Sequence, residues 1–347
     1  MVLEPRIAAV PAVAAAGKGR ATMGRALGRS DIEVSDIGFG SWAIGGPMTL
    51  DGRPDGWGAT DDDESMAAIR GALELGVTFF DTADVYGTGH SERLLGRALA
   101  ANRDEVVIAT KFGYTFDAEQ GAITGEDASP GYIGDACRES LRRLGTDRID
   151  LYQLHLGDLP VAQLQEVTGA LEDLAVAGLI RAYGWSTDDP QHVAAFAGPR
   201  CAAIQHEMNV LSDAPAMLEA CCQLGLASID RSPLAMGLLT GKYGPGTQLP
   251  PDDVRAAQPW VAYFTDGRPA AKWLARLDAV REVLTSGERS LAQGALGWLL
   301  ARSSRTIPIP GARNAAQARE NAEALRLGPL SPSEMAEIAG LLGADLP

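Results

Sequence analysis

Eight times along this 347-residue chain a short apolar run is followed by a stretch with helical spacing, and no other feature narrows the fold as far. The runs are Ile37–Gly40, Val77–Asp81, Glu105–Thr110, Ile149–Leu154, Ile180–Trp185, Ala202–Gln205, Leu226–Asp230 and Arg305–Ile309. Helices are expected at Asp62–Leu75, Ser91–Leu99, Ser129–Leu144, Ala162–Val176, Asp189–Phe196, Ala214–Leu224, Leu291–Ala301 and Ala315–Leu325. Their ends carry the usual punctuation. Gly76, Gly145 and Gly178 stand just past three of them, Ser91 and Ser129 are candidate N-caps, and Pro130 is at the first helical position. A repeating strand–helix order implies a parallel sheet, and eight units in about 300 residues suit a closed barrel. A doubly wound open sheet would want a GxGxxG turn after its first strand. The glycines here, Gly38, Gly40, Gly45 and Gly46, have the wrong spacing. The expectation is therefore an α/β chain folded as one (β/α)8 TIM barrel over 23–347. It would carry an N-terminal β-hairpin and extra helices and loops over the C-terminal face.

Those extra loops are Gly46–Thr60, Gly113–Ala128 and Tyr243–Arg268, each rich in Gly, Pro, Asp or aromatic residues. Long connections of this kind usually bind or cover a site. Two further helices, Ala270–Leu284 and Pro332–Leu342, lie outside the repeat. The first 22 residues include an Ala/Val-rich run, Ile7–Ala16, but both Glu4 and Arg6 precede it. The segment reads as a disordered extension or a start assigned too early, with Met23 the true beginning, rather than a secretory signal.

Composition closes off several classes of function. The net charge of −15 opposes nucleic acid and anionic membrane surfaces. No run approaches 18 apolar residues, so no membrane span is expected. Cys137, Cys201, Cys221 and Cys222 form no CxxC, and His90, His155, His192 and His206 form no HExxH or HxH. The cysteines read as small buried hydrophobes in a reducing, cytoplasmic compartment, and no metal site is expected.

In a barrel of this type chemistry sits at the C-terminal ends of the strands. Asp81 ends the second strand, with Tyr86 in the following loop; Lys111 ends the third, and His155 the fourth. Singly, each has an ordinary structural use as a turn cap, surface packing, an ion-pair partner or a satisfied core histidine. Together at one mouth they make chemical sense. A phenol titrates near pH 10, a neighbouring ammonium favours the phenolate, and a carboxylate would hold that ammonium in place. The histidine would orient a carbonyl oxygen for protonation by the tyrosine.

The segments Phe80-Asp81-Thr82-Ala83 with Tyr86-Gly87, Lys111 after an apolar strand, and Leu154-His155 resemble the aldo-keto reductase family and its Asp–Tyr–Lys–His tetrad. Gly87-Thr88-Gly89-His90-Ser91-Glu92 and Leu95-Gly96-Arg97-Ala98-Leu99 extend the likeness, which runs from about Leu27 to Leu325. The resemblance is to the bacterial and β-subunit-like branch rather than the mammalian aldose reductase branch. It implies reversible, NADPH-dependent reduction of an aldehyde or ketone, in a monomer or homo-oligomer with a small carbonyl substrate as partner.

The resemblance also implies a cofactor site. Gly40, Ser41 and Trp42 match the first-strand end beneath the nicotinamide, where Asp81 also lies. Ser186, Thr187 and Gln205 match its carboxamide contacts, with Thr187 in place of the usual Asn. Ser232, Pro233, Leu234, Gly237, Leu238, Gly241 and Lys242 match the pyrophosphate strap. Arg231 stands where an aromatic ring commonly stacks. Gly311, Arg313, Gln317, Glu320 and Asn321 match the adenosine end, and Arg313 beside a helix start suits a 2′-phosphate, favouring NADPH over NADH. The expected substrate pocket comprises Trp42, Trp57, Tyr86, Phe112, Tyr114, His155 and Met208.

Three other uses compete with this reading. An NADPH-binding regulatory protein, like channel β subunits, would expose a large apolar patch. A reductase of keto-sugars or other natural-product carbonyls differs only in loop residues. A double-bond reductase of this family replaces the tetrad histidine by an acid, and His155 is intact.

Overall fold

The computed structural model describes residues 24–343, and the expectation for residues 1–22 lies outside them. Eight parallel strands form one sheet in which sequence neighbours are spatial neighbours. They are β1 (Phe39–Gly40), β2 (Phe79–Asp81), β3 (Val107–Phe112), β4 (Ile149–Leu154), β5 (Ile180–Ser186), β6 (Cys201–Glu207), β7 (Ala227–Arg231) and β8 (Thr306–Pro308). The last strand returns to the first: Gly38 N donates to Pro308 O at 2.9 Å and Gly40 N to Pro310 O at 3.1 Å. A Cβ on Gly40 would stand 2.6 Å from Ile309 O, so this seam needs a residue without one.

The helices that return each strand to the next are α1 (Asp62–Glu74), α2 (His90–Leu99), α3 (Pro130–Leu144), α4 (Val161–Val176), α5 (Val193–Phe196), α6 (Pro215–Leu224), α7 (Leu291–Arg302) and α8 (Ala315–Leu327). Their apolar faces and the outward residues of the sheet form the large cores of the molecule. Antiparallel pairing of Arg25–Ala26 with Glu33–Val34 makes the N-terminal hairpin. Its Leu27, Ile32 and Val34 are buried with the barrel interior, among Phe79, Val107, Ala109, Leu151, Ile229 and Ile307.

Strand period 2 decides what occupies that interior. On β2, Phe79 and Asp81 point in while Phe80 packs outward; on β3, Val107, Ala109 and Lys111 point in while Ile108 and Phe112 pack outward. β4 alternates Leu151 and Gln153 against Tyr152 and Leu154. The lower layers are apolar. The uppermost layer is polar, made of Asp81, Lys111, Gln153 and Gln205.

Several boundaries differ from those expected. β3 starts at Val107, because Ala100–Glu105 form 3-10 turns. α2 starts at His90 behind Gly89, so Ser91 is not its cap. The Ser91 hydroxyl is instead fixed in the core, donating to Ser41 Oγ at 2.8 Å and accepting from Thr82 Oγ1 at 2.8 Å. α5 is a single turn, because Asp189 precedes a proline and its carboxylate accepts from Gln191 N at 2.8 Å, an Asx-turn that replaces the first helical turn.

The loops over the mouth are more ordered than expected. Thr49–Leu50, Arg53–Pro54, Tyr114–Asp117 and Ala122–Glu126 form a four-stranded sheet, joined through Thr49 and Ala122. The third loop carries the short helix Val254–Ala257 and the pairing of Phe264–Thr265 with Arg268–Pro269. It meets the first loop where Val254 N donates to Gly56 O at 2.9 Å.

Candidate active site

Lys111 occupies the centre of the polar layer and is fully buried. Its Nζ donates to Asp81 Oδ1 at 2.6 Å, to Thr82 O at 2.8 Å and to Tyr86 Oη at 3.2 Å. All three donors of the ammonium are thereby directed. Asp81 is held from its other side, since Gln153 Nε2 and Gln205 Nε2 donate to Oδ2 at 3.0 and 2.8 Å. Burial opposes the charge on Lys111, but Asp81 and Tyr86 outweigh it and raise the lysine above its ordinary value.

Tyr86 is brought to Lys111 by the turn after β2. Gly87 makes that turn in the left-handed region, where a Cβ would meet Gly45 O at 1.7 Å. The expectation that Lys111 would pull the phenol down toward neutral pH is not met. Burial is the larger influence and raises it, and the ammonium offsets only part of that. Tyr86 is therefore a neutral phenol at neutral pH. His155 faces it at 5.8 Å between ring centroids and faces Tyr114 at 5.2 Å. Burial, then the positive charges of Lys111 and Arg231, hold His155 well below the usual imidazole range, so it is neutral too. Its Nδ1 is buried without a partner.

A cavity of about 730 Å³ opens above these residues. Of the residues expected at a cofactor or substrate, Gly40, Ser41, Trp42, Asp81, Ser186, Thr187, Gln205, Arg231, Ser232, Pro233, Leu234, Gly237 and Lys242 line it. So do Gly311, Arg313, Gln317, Glu320 and Asn321, together with Trp57, Tyr86, Tyr114 and His155. Lys111 does not line it and stays behind Tyr86 and Asp81. Leu238 is buried in the outer core, and Gly241 ends the 3-10 turn Ala235–Thr240 without lining the cavity.

Phe112 and Met208 are not brought to the cavity. Phe112 follows the inward Lys111, so it points outward and packs on Tyr152 at 4.6 Å. Met208 lies just past the end of β6 and is buried with Val210, Leu211 and Tyr263.

Three expected contacts take a particular form. The Thr187 hydroxyl donates to Gly157 O at 2.6 Å and accepts from Asp189 N at 3.1 Å, so it is used within the protein. Arg231 is bonded to the Asp188 carboxylate and to Glu207 Oε2 at 3.2 Å, which fixes its guanidinium at the cavity wall. The strap Ser232–Gly237 has left-handed backbone at Ser232, Ala235, Met236 and Gly237. Non-glycine residues adopt this at a cost of about 1 kcal/mol each, a strain that marks binding loops.

At the far end Asn314 caps α8, accepting from Gln317 N at 3.0 Å, and Asn321 Nδ2 donates to Gly311 O at 3.2 Å. A second hollow there is lined by Thr60, Asp61, Glu64, Lys242, Arg313, Asn314 and Gln317.

Sequence reasoning missed Gln153, Asp188, Asp55, Arg255 and Trp260. Gln153 was recoverable, since it lies two residues before His155 on the inward face of β4. The others belong to loops whose paths no period describes.

The family model described as Aldo/keto reductase family matches residues 36–342. The chloroplastic pyridoxal reductase of Arabidopsis thaliana is 34% identical over 317 residues, covering 85% of this chain and 80% of the relative. The solved structure of a glycerol dehydrogenase from Gluconobacter oxydans is 31% identical with a TM-score of 0.77, covering 93% of this chain and 95% of that one. An aldo/keto reductase from Klebsiella pneumoniae, solved in complex with NADP and acetate, is 27% identical with a TM-score of 0.67, over 92% and 95% of the two chains. Among the described residues no helix is long and apolar enough to cross a membrane.

Proposed function

The chain belongs to the aldo/keto reductase family and is an NAD(P)H-dependent oxidoreductase, and from that premise we propose that it reduces an aldehyde or ketone to the alcohol with NADPH, Tyr86 giving the proton. The observation that carries this reading is the buried ammonium of Lys111, 2.6 Å from Asp81 and 3.2 Å from the Tyr86 hydroxyl at the floor of the cavity.

The mouth fits a nicotinamide dinucleotide. The Trp42 indole N–H is buried without a partner, Gly40 and Gly311 offer bare backbone, and Ser186 and Gln205 stand beside them. NADPH supplies the hydride when it is bound there. Everything else falls to the chain. His155, neutral, orients the carbonyl oxygen by a hydrogen bond. Tyr86 passes its phenolic proton to that oxygen as negative charge develops on it. The phenolate left behind is stabilised by Lys111, whose charge Asp81 maintains. Asp81 is in turn positioned by Gln153 and Gln205, so the polar layer acts as one preorganised unit.

NADPH is preferred to NADH on this reading because Lys242 and Arg313 both line the polar hollow beside the start of α8. Among the described residues, one of the five N–H groups of Arg313 has a backbone acceptor, Ala59 O.

The test is the Tyr86→Phe variant, followed by NADPH oxidation at 340 nm with 4-nitrobenzaldehyde and 9,10-phenanthrenequinone. Turnover should fall on the order of 10²–10⁴-fold with NADPH binding, read by fluorescence quenching, retained. A variant as active as wild type would remove Tyr86 from the mechanism.

A further inference from the structure

One buried acid in the cavity has no part in the chemistry above. Asp55 follows the short strand Arg53–Pro54 and is 7% exposed. Its backbone N donates to Met48 O at 2.8 Å, which turns the carboxyl into the cavity that it lines. Its Oδ1 has no hydrogen-bond partner, and among the described residues no ion pair joins it. Burial pushes the carboxyl up to about 7, with the Trp260 indole N–H offsetting part of the effect. A carboxylate so enclosed normally has a cation beside it.

The cations nearest this end of the cavity are already matched. Arg255 is bound by Asp253 at 2.6 and 2.8 Å, Arg231 by Asp188 and Glu207, and Lys111 by Asp81. Asp55 is left as the one acid among these groups without a cation, and a cationic ligand beside it would favour its charged form.

Around it the walls are rings. Trp42 stands edge-on to Trp57 at 5.5 Å and stacks with Trp260 at 6.0 Å. Tyr114 lies close enough for the Asp55 charge to raise its phenol, after burial and Glu126. The other side of Tyr114 meets His155. The acid therefore sits one side chain removed from the carbonyl position, within an aromatic box. Trp57 already accepts one cation on its face, the Arg255 guanidinium at 4.5 Å. A polyhydroxylated substrate would ask for many polar partners, whereas this end of the cavity offers one unpartnered acceptor, Asp55, and the two indole N–H groups of Trp42 and Trp57 among ring faces. Ring faces with one carboxylate are what a substituted ammonium or a protonated nitrogen heterocycle requires.

We propose that Asp55, with Trp42, Trp57, Trp260 and Tyr114, forms a cation-recognition subsite, and that the carbonyl compound reduced by this protein carries a positively charged nitrogen. The inference rests on the carbonyl-reductase reading and names its substrate class.

The experiment compares two aldehydes of nearly equal shape, 4-[2-(trimethylammonio)ethyl]benzaldehyde and 4-(3,3-dimethylbutyl)benzaldehyde, in which the two-carbon link keeps the charge from activating the carbonyl, with wild type and Asp55→Asn. Wild type should favour the charged aldehyde in kcat/KM by roughly 10–100-fold, and the ratio should fall to about one in Asp55→Asn. Equal kcat/KM in wild type, or a ratio unchanged in the variant, overturns the inference while brisk turnover leaves the reductase reading standing. The wild-type ratio needs no variant, so a poorly folded Asp55→Asn does not spoil the test. If neither aldehyde is reduced, the reductase reading fails. Binding of the two matching alcohols, followed by tryptophan quenching, then decides the subsite: tighter binding of the charged alcohol supports it, and equal affinities reject it.

Discussion

Replacing Asp81 by Asn changes one charge at nearly constant shape, and the structure sets the size of the effect. The ion pair with Lys111 is 2.6 Å long and both groups are buried. At an effective dielectric constant of about 20 such a pair attracts by about 6 kcal/mol, and losing one partner of a buried pair costs about 3–5 kcal/mol net. Asn still accepts a hydrogen bond from the ammonium, so the lower end, about 3 kcal/mol, is expected. The pH dependence gives the sharper test. In wild type Lys111 titrates above its unfolded value, so its contribution is fully present below the unfolded value and is lost only as pH rises through the folded one. Without the Asp81 charge, burial becomes the controlling influence and the folded lysine falls below its unfolded value. The variant is then penalised most at neutral pH, and the penalty shrinks as pH rises toward 10. Urea unfolding at pH 7 and pH 9.5, read by tryptophan emission, checks this. A wild-type–variant gap below about 1 kcal/mol at pH 7, or a gap that does not narrow at pH 9.5, would refute the reasoning.

Two other predictions concern the reaction. With a neutral aldehyde, kcat for reduction should be flat from roughly pH 6 to 9, because burial holds His155 below the imidazole range and Tyr86 above the usual phenol value; alcohol oxidation, which needs the phenolate, should rise throughout that interval. An inflection near the ordinary imidazole value that disappears in His155→Gln would count against a neutral histidine. Arg313→Leu should raise the Kd of NADPH by about 10–100-fold and leave that of NADH within about threefold, measured by fluorescence titration. Equal losses for the two cofactors would move the 2′-phosphate elsewhere.

The grouping of Asp81, Tyr86, Lys111 and His155 at one mouth was legible in the sequence because barrel strands are short and regular. Asp81, Lys111 and His155 lie at consecutive strand ends, and parity alone directs the first two inward. The same rule, applied to Phe112, would have sent it outward to Tyr152; aromatic character was a poorer guide than its place next to Lys111. Met208 lies one residue past the end of β6, where strand alternation no longer directs a side chain. The loops were not legible. Thr49 pairs with Ala122, and Val254 N bonds Gly56 O, across distances in sequence that no local pattern encodes. Asp55, Trp260 and Arg255 enter the cavity only through those pairings. Arg231 stood out in the sequence as a departure from an aromatic ring, but its tether to Asp188 and Glu207 is a tertiary fact.

The N-terminal hairpin has a consequence for proton traffic. Leu27, Ile32 and Val34 stopper the foot of the barrel, and Phe79, Val107, Leu151 and Ile229 fill the space between them and the polar layer. The vessel is blind at that end. On the proposed mechanism a spent Tyr86 phenolate cannot be recharged from below through those hydrocarbon side chains, so its proton would return through the cavity that the substrate enters. Proton return and product departure would then share that one opening.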